Sequence, residues 1–429
     1  MLHLAALLTI SLAVNASPEA PKPKPVLLKA ARLFDGKSDA LVTGGVAVLV
    51  EGEKIVAVGK NVSAPAGATV VDLGDATLMP GLMDAHTHLT FESSPDWWKD
   101  AYTGLLRPTS EQTLYAAHYA KRTLEAGFTT VRDLGSGQLI DVGLRNAIND
   151  GIAEGPRMLV CAHALGATGG HMDSDPYPPE MKIPEPGIYE GICNGADACR
   201  QAVREQVKFG ADVIKIAASG GVLSLSDDVD TPQLTDDELH AIVDEAHRLR
   251  RKVAAHCHGD GAAKAAVKAD VDSIEHGSFL KADTLALMKQ KGVTLVPTLM
   301  TREGLAERLP GMPPHVADKA RAVLAAQETM FHEALKQGVR IVLGTDSAVQ
   351  PHGNNAHELQ WMVKFGMSPA AALRAGTSGA AQLLGVTDRG VLEVGKLADI
   401  IAVPGDALAD ITATQRVSFV MKGGEIVKR

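Results

Sequence analysis

Eight times between residues 78 and 346 a short, apolar, β-branched run appears, and helix-spaced segments separate several of these runs. The runs are LMPGLMDAHTH (78–88), FTTVRDLG (128–135), RMLVCAHAL (157–165), ADVIKIAAS (211–219), KVAAHCH (252–258), VDSIEHG (271–277), VTLVPTL (293–299) and VRIVLGTD (339–346). TLYAAHYAKRTLEAG, ADACRQAVREQVKFG and TDDELHAIVDEAHRLRR are examples of the intervening helical patterns. Eight strand–helix units predict an α/β chain wound into a (β/α)8 TIM-like barrel. An open doubly wound sheet shares the alternation, but no GxGxxG phosphate loop follows any run.

The two ends read differently. Residues 24–80 and 386–429 carry β-branched alternation broken by Gly and Asp-Gly, as antiparallel hairpins do. They predict a small β-sandwich built from both termini around a barrel at 81–385. The start, MLHLAALLTISLAVNASPEA, is apolar and closes on small residues, which predicts a leader at 1–16 and export to the periplasm or the medium. Without such a leader the chain would be cytoplasmic. No other apolar run approaches the length of a membrane span. The formal charge of −9 and the lack of a basic stripe exclude nucleic acid as a partner. Cys193 and Cys199 flank a short loop, where a disulfide and two free thiols are equally open readings.

Active sites of such barrels form at the carboxyl ends of the strands. His86 and His88 close the first run, and side chains two apart on a strand share a face, so both imidazoles can meet one ion. Lys215 sits among apolar neighbours in the fourth run. His256 and His258 end the fifth, His276 the sixth and Asp346 the eighth. One histidine near a strand end is ordinarily a satisfied core residue. That explanation would have to hold for all of these residues at one end of one barrel, so a metal site is the stronger reading.

The order HTH, VIK, AHCH, IEHG and GTD resembles the metal-dependent amidohydrolase superfamily. It looks closest to the binuclear prolidase-like and carboxypeptidase-like branch, which includes enzymes that hydrolyse N-acyl amino acids such as ochratoxin A. The resemblance covers the mature chain, including the tail TSGAAQLLGVTDRGVLEVGKLADIIAV. It implies two divalent ions. His86, His88 and Asp346 would hold the inner one, and His256 and His276 the other, with Lys215 bridging both as a carbamate. Burial supports that role for Lys215, because carbamate formation needs a neutral amine. Imidazole and carboxylate donors suit Zn2+, although manganese or cobalt accepts the same set. His256 and His258 share a face, so spacing does not choose between them; the resemblance favours His256 and leaves His258 beside the substrate.

The implied reaction cleaves the amide of N-acyl amino acids or dipeptides by metal-hydroxide attack, with Asp346 as base and then acid. An imidazolonepropionase-like or deaminase-type hydrolase is the alternative, but mononuclear members lack the lysine. A non-catalytic scaffold relative would be expected to lose ligands. His163 and His171, in a glycine-rich loop after the third run, are candidate substrate contacts, His171 also reading as loop packing. Arg302 would pair with a substrate carboxylate or form a surface ion pair. Trp97 and Trp98 would wall an apolar pocket or pack a lid. Asp133 reads as a structural acceptor, and His352 and His357 as helix-entry residues. Barrels of this kind often assemble, so a homo-oligomer is open.

Overall fold

The computed structural model describes residues 24–173 and 176–429, so the leader at 1–16 lies outside the described residues. Strands β1 (Val26–Leu33), β2 (Val42–Glu51), β3 (Lys54–Gly59), β4 (Thr69–Asp72) and β5 (Ala76–Pro80) precede the strand–helix region. β6 (Leu82–Thr87), β7 (Phe128–Asp133), β8 (Arg157–Val160), β9 (Val213–Ala217), β10 (Lys252–Cys257), β11 (Ser273–His276) and β12 (Thr294–Val296) run through it. β13 (Ile400–Pro404), β14 (Phe419–Lys422) and β15 (Glu425–Lys428) close the chain.

The terminal strands join into one sheet, ordered β15-β14-β13-β5-β1-β2-β3, with β4 paired to β1. Its core is apolar and contributed by both ends of the chain, with Leu28, Val48 and Ile55 meeting Ile400, Phe419 and Met421. Its β3 edge meets the segment just before β13, where Lys54, the first residue of β3, bridges Leu397.

The middle is TIM-barrel-like. β6-β7-β8 and β9-β10-β11-β12 are two parallel sheets, joined by hydrogen bonds at both seams. At one seam Leu165 N–H donates to Lys215 O (2.8 Å) and Ala217 N–H to Leu165 O (2.9 Å). At the other, the segment 339–346 takes the eighth place without forming a regular strand. Val342 N–H donates to Leu295 O (3.0 Å), while Leu343 O accepts from Ala85 N–H (3.0 Å). The helices between strands carry ordinary punctuation. The helix Asp236–Arg248 starts on a Thr235/Glu238 capping box, and Pro314–Gln337 stops at left-handed Gly338.

Among the described residues Cys193 and Cys199 form a disulfide, which pins the start of the helix Ala196–Lys208; Cys161 and Cys257 are free and buried.

Candidate metal centre

β6 ends in an all-buried stretch that delivers His86 inward. Its Nδ1 meets Glu275 Oε2 at 2.9 Å, which turns Nε2 toward Asp346 Oδ1 (3.4 Å) and Lys215 Nζ (3.4 Å). His88 Nδ1 donates to Gly135 O (3.1 Å), and its Nε2 lies 3.2 Å from the same Asp346 oxygen. Each imidazole thus spends one nitrogen on a fixed partner and points the other at a common centre, the arrangement that orients metal-ligating histidines.

The second group follows the same rule. His258 Nδ1 contacts Ser278 Oγ (2.9 Å), His276 Nδ1 contacts Thr298 Oγ1 (2.7 Å), and His256 Nε2 donates to Gly220 O (3.2 Å). His256, His258 and His276 each offer an atom within 4.8 Å of the others, and so do His86, His88 and Asp346. All six line one cavity together with Lys215 and His171. The donor set therefore fits divalent ions, and His258 belongs to the second group as fully as His256.

Backbone strain gathers at these strand ends. His276 (φ 69°), Thr298 (φ 48°) and Asp346 (φ 57°) all adopt the left-handed region, which costs a non-glycine residue roughly 1–3 kcal/mol. Surrounding bonds hold them there. Glu358 accepts from Leu299 N–H (2.9 Å) and Met300 N–H (2.6 Å), fixing the turn beside Thr298.

Electrostatics suit cation binding. Burial lowers the pKa of His86 to about 4 and of His258 to about 3, and holds His256 and His276 well below the ordinary value, so these imidazoles are neutral at pH 7. Burial also lowers that of Lys215, which favours the free amine. Burial alone would raise Asp346, but the His86 and His88 imidazoles and Lys215 pull it far below the carboxylate range. Beneath this layer the buried Glu275 accepts from Arg132 Nη2 (2.8 Å) and from Ser273 Oγ, so a charge pair props His86 from below.

Sequence reasoning missed Glu275, Arg132, Ser278 and Thr298. Glu275 adjoins His276 in IEHG, and a strict alternation would send it to the opposite face; the left-handed backbone at His276 brings both residues to the interior. Arg132, a charge inside the apolar run FTTVRDLG, was the legible signal. Asp133 accepts from Leu89 N–H (2.6 Å) and Thr87 Oγ1 (3.2 Å), a structural role. His352 contacts Phe91 O (2.7 Å) and His357 contacts Glu303 Oε2 (2.9 Å), both away from the donors.

The expected substrate contacts divide. His171 lines the cavity, stacked on His256 with centroids 4.3 Å apart, and a side chain on Gly221 would occupy the space of its ring. His163 lines a neighbouring cleft rather than the cavity. Arg302 does not line the cavity: the helix Thr301–Arg308 starts directly beyond the strand end and turns its guanidinium over the Trp361 and Phe365 rings (4.7 and 4.9 Å). Trp97 packs against the apolar cluster of Val222 and Val229, while Trp98 is exposed. The loop 220–230 covering the cavity is tied by Lys319, whose Nζ donates to Gly221 O, Ser224 O and Asp227 O at 2.8–2.9 Å. The cavity measures about 90 Å3, well below the ~300–1,000 Å3 of ligand pockets, so a dipeptide does not fit within it alone.

Neutral imidazoles, an ionised carboxylate and an amine, gathered at the strand ends of a barrel-like fold, define a metal-binding hydrolase. The chain belongs to the amidohydrolase family, whose sequence profile matches residues 77–427. It is 37% identical over 369 residues to an ochratoxinase of Aspergillus niger, covering 82% of this chain and 75% of that one. Its fold matches a Xaa-Pro dipeptidase solved with methionine in the active site (TM-score 0.89, 36% identity, 95% of this chain and 100% of the other). It also matches a prolidase complexed with N-methylphosphonate-L-proline (TM-score 0.86, 29% identity, 95% and 100%). These likenesses put the chain in the prolidase and ochratoxinase branch, as a hydrolase acting on amide bonds.

Proposed function

We propose that this chain is a binuclear metal-dependent amidohydrolase cleaving the amide bond of dipeptides, Xaa-Pro among them, or of N-acyl amino acids, ochratoxin A being one candidate. The observation that carries this reading is the convergence of two three-donor groups and the buried Lys215 on one cavity. His86, His88 and Asp346 would hold one ion and His256 and His276 the other, with Lys215 as a bridging carbamate and Zn2+ the best match to the donors. When bound, such ions supply the Lewis acid that polarises an amide carbonyl and the charge that acidifies water.

The chain's own residues do the rest. Asp346, ionised and 3.2 Å from His88, can take a proton from water on one oxygen and return it to the departing amine. His171 lines the cavity where the scissile amide would lie and is uncharged at neutral pH, so it orients by hydrogen bonding, as would His258 if His256 and His276 alone hold the second ion. The cover at 220–230 keeps bulk water from the amide. The relatives that act on Xaa-Pro dipeptides and ochratoxin A support the substrate class. We further read residues 81–385 as a closed (β/α)8 barrel, 24–80 with 386–429 as the accessory β domain, and 1–16 as an export leader.

The test is a hydrolysis screen of aminoacyl and N-acyl derivatives of the common amino acids, with and without added Zn2+. Metal-dependent release of the C-terminal amino acid is expected. No turnover of any member by metal-loaded protein would remove the reading.

A further inference from the structure

On the β6–β8 side of the metal centre lies a second cleft of about 340 Å3, which shares His88 and Met172 with the metal cavity. A molecule held at the donors can therefore extend into it. Among the described residues no lysine or arginine lines it, and its strongest polar groups accept hydrogen bonds.

The first is His163. Gln206 Nε2 donates to Tyr189 O (3.2 Å), which turns Gln206 Oε1 toward His163, where it accepts the backbone N–H (3.1 Å) and Nδ1–H (3.2 Å). That assigns the ring proton to Nδ1 and leaves a lone pair on Nε2. His163 is only 6% exposed, and Nε2 is buried without a hydrogen-bond partner among the described residues. Burial lowers its pKa, which keeps the ring neutral. The second acceptor is the Glu190 carboxylate, whose Oε2 takes Gly187 N–H at 2.8 Å.

This lining is rigidly built. The disulfide Cys193–Cys199 and the bond from Gly166 N–H to Gly191 O (3.1 Å) hold the Glu190 segment. Gly191 has φ 94°, and a side chain there would collide with Ala164 O. On the opposite wall, a Cβ on Gly135 would lie 3.2 Å from His88 Cε1, so glycine keeps the wall open beside the donor.

The amine half of an N-acyl amino acid or dipeptide ends in a carboxylate, which an acceptor-lined cleft repels. We propose that the cleft is the subsite for the acyl half of the substrate, and that His163 and Glu190 select acyl groups carrying a primary ammonium, on the α-carbon or at the end of a side chain. Phe91, Leu134 and Met172 offer that group an apolar floor. This rests on the amide-hydrolase reading above and separates dipeptide-like substrates from simple N-acyl ones.

The experiment compares kcat/KM of the metal-loaded full chain for phenylalanyl-proline against 3-phenylpropionyl-proline and for 6-aminohexanoyl-proline against hexanoyl-proline, in the natural protein and in Glu190→Gln. One of the two ammonium-bearing substrates should exceed its own des-amino counterpart by roughly tenfold, the factor of one charge-assisted hydrogen bond. Which of them does so assigns the position of the ammonium. In Glu190→Gln the ratio should fall toward one. A ratio near one in the natural protein, or one unaltered by the substitution, overturns the proposal. If no compound is cleaved, the amide-hydrolase reading fails instead, and calorimetric titration with L-phenylalaninamide decides the cleft. Tighter binding by the natural protein than by Glu190→Gln supports it, and equal or absent binding refutes it.

Discussion

Replacing Glu275 with glutamine removes one oxygen charge from the layer beneath the donors and changes almost no volume. Glu275 is fully buried and bonds Arg132, Ser273 and His86 at once. Burial alone would raise its pKa, yet Arg132 and His86 hold it at about 2 against an ordinary value of 4.5. At about 1.4 kcal/mol per pH unit, that difference corresponds to about 3 kcal/mol of folding stability. The folded pKa is the lower one, so this stability is present above pH 4.5 and lost as pH falls toward 2. Removing one partner of a buried ion pair independently costs roughly 3–5 kcal/mol, because Arg132 keeps an uncompensated charge. The glutamine must also present its amide N–H to either His86 or Arg132, both donors. His86 then loses its fixed orientation, and a change of this kind weakens metal affinity by roughly 10–100-fold. Urea denaturation at pH 7 measures the first effect and competitive Zn2+ titration the second. A loss of stability below 1 kcal/mol with unaltered Zn2+ affinity would refute the claim that Glu275 orients His86.

Three further expectations rest on other parts of the site. Gly221→Ala would displace His171 from its place against His256, lowering kcat/KM while leaving Zn2+ content intact; unchanged kinetics would contradict that placement. Lys319→Met removes the three carbonyl bonds that tie the cover, so limited proteolysis should cut within 220–230 faster than in the natural protein, and equal cutting rates would show that other contacts hold it. Chelator-treated protein should lose stability as pH drops from 6.5 toward 4, because His86 and His171 titrate near 4 when folded and near 6.5 when unfolded. The unfolded chain takes up the protons in that window, at on the order of 1 kcal/mol per pH unit for each histidine. A flat urea midpoint between pH 6.5 and 4.5 would contradict the neutral, buried assignment.

Much of the strand–helix region was legible because each of seven strands is a compact apolar run, and a polar residue at the end of such a run has little reason to be there unless it does chemistry. The eighth segment, VRIVLGTD, has the same composition but forms only isolated bridging pairs; composition does not report register. Donor positions followed from strand ends, whereas their supports did not. Glu275 was hidden by the left-handed turn at His276, and Ser278 and Thr298 look like ordinary loop residues until an imidazole is placed beside them. For Arg302, read as a partner of a substrate carboxylate or of a surface ion pair, distance along the chain from a strand end says nothing about direction. One helical turn carried it to Trp361, almost sixty residues later in the sequence, where stacking on aromatic faces satisfies the guanidinium.

Metal stoichiometry tests the central claim most directly. Inductively coupled plasma mass spectrometry of protein saturated with Zn2+ and freed of excess ion should give close to two ions per chain, falling to one or fewer in Lys215→Ala with loss of amide hydrolysis. One ion per chain in the natural protein, or full hydrolysis by Lys215→Ala, would contradict a two-ion centre bridged by that lysine.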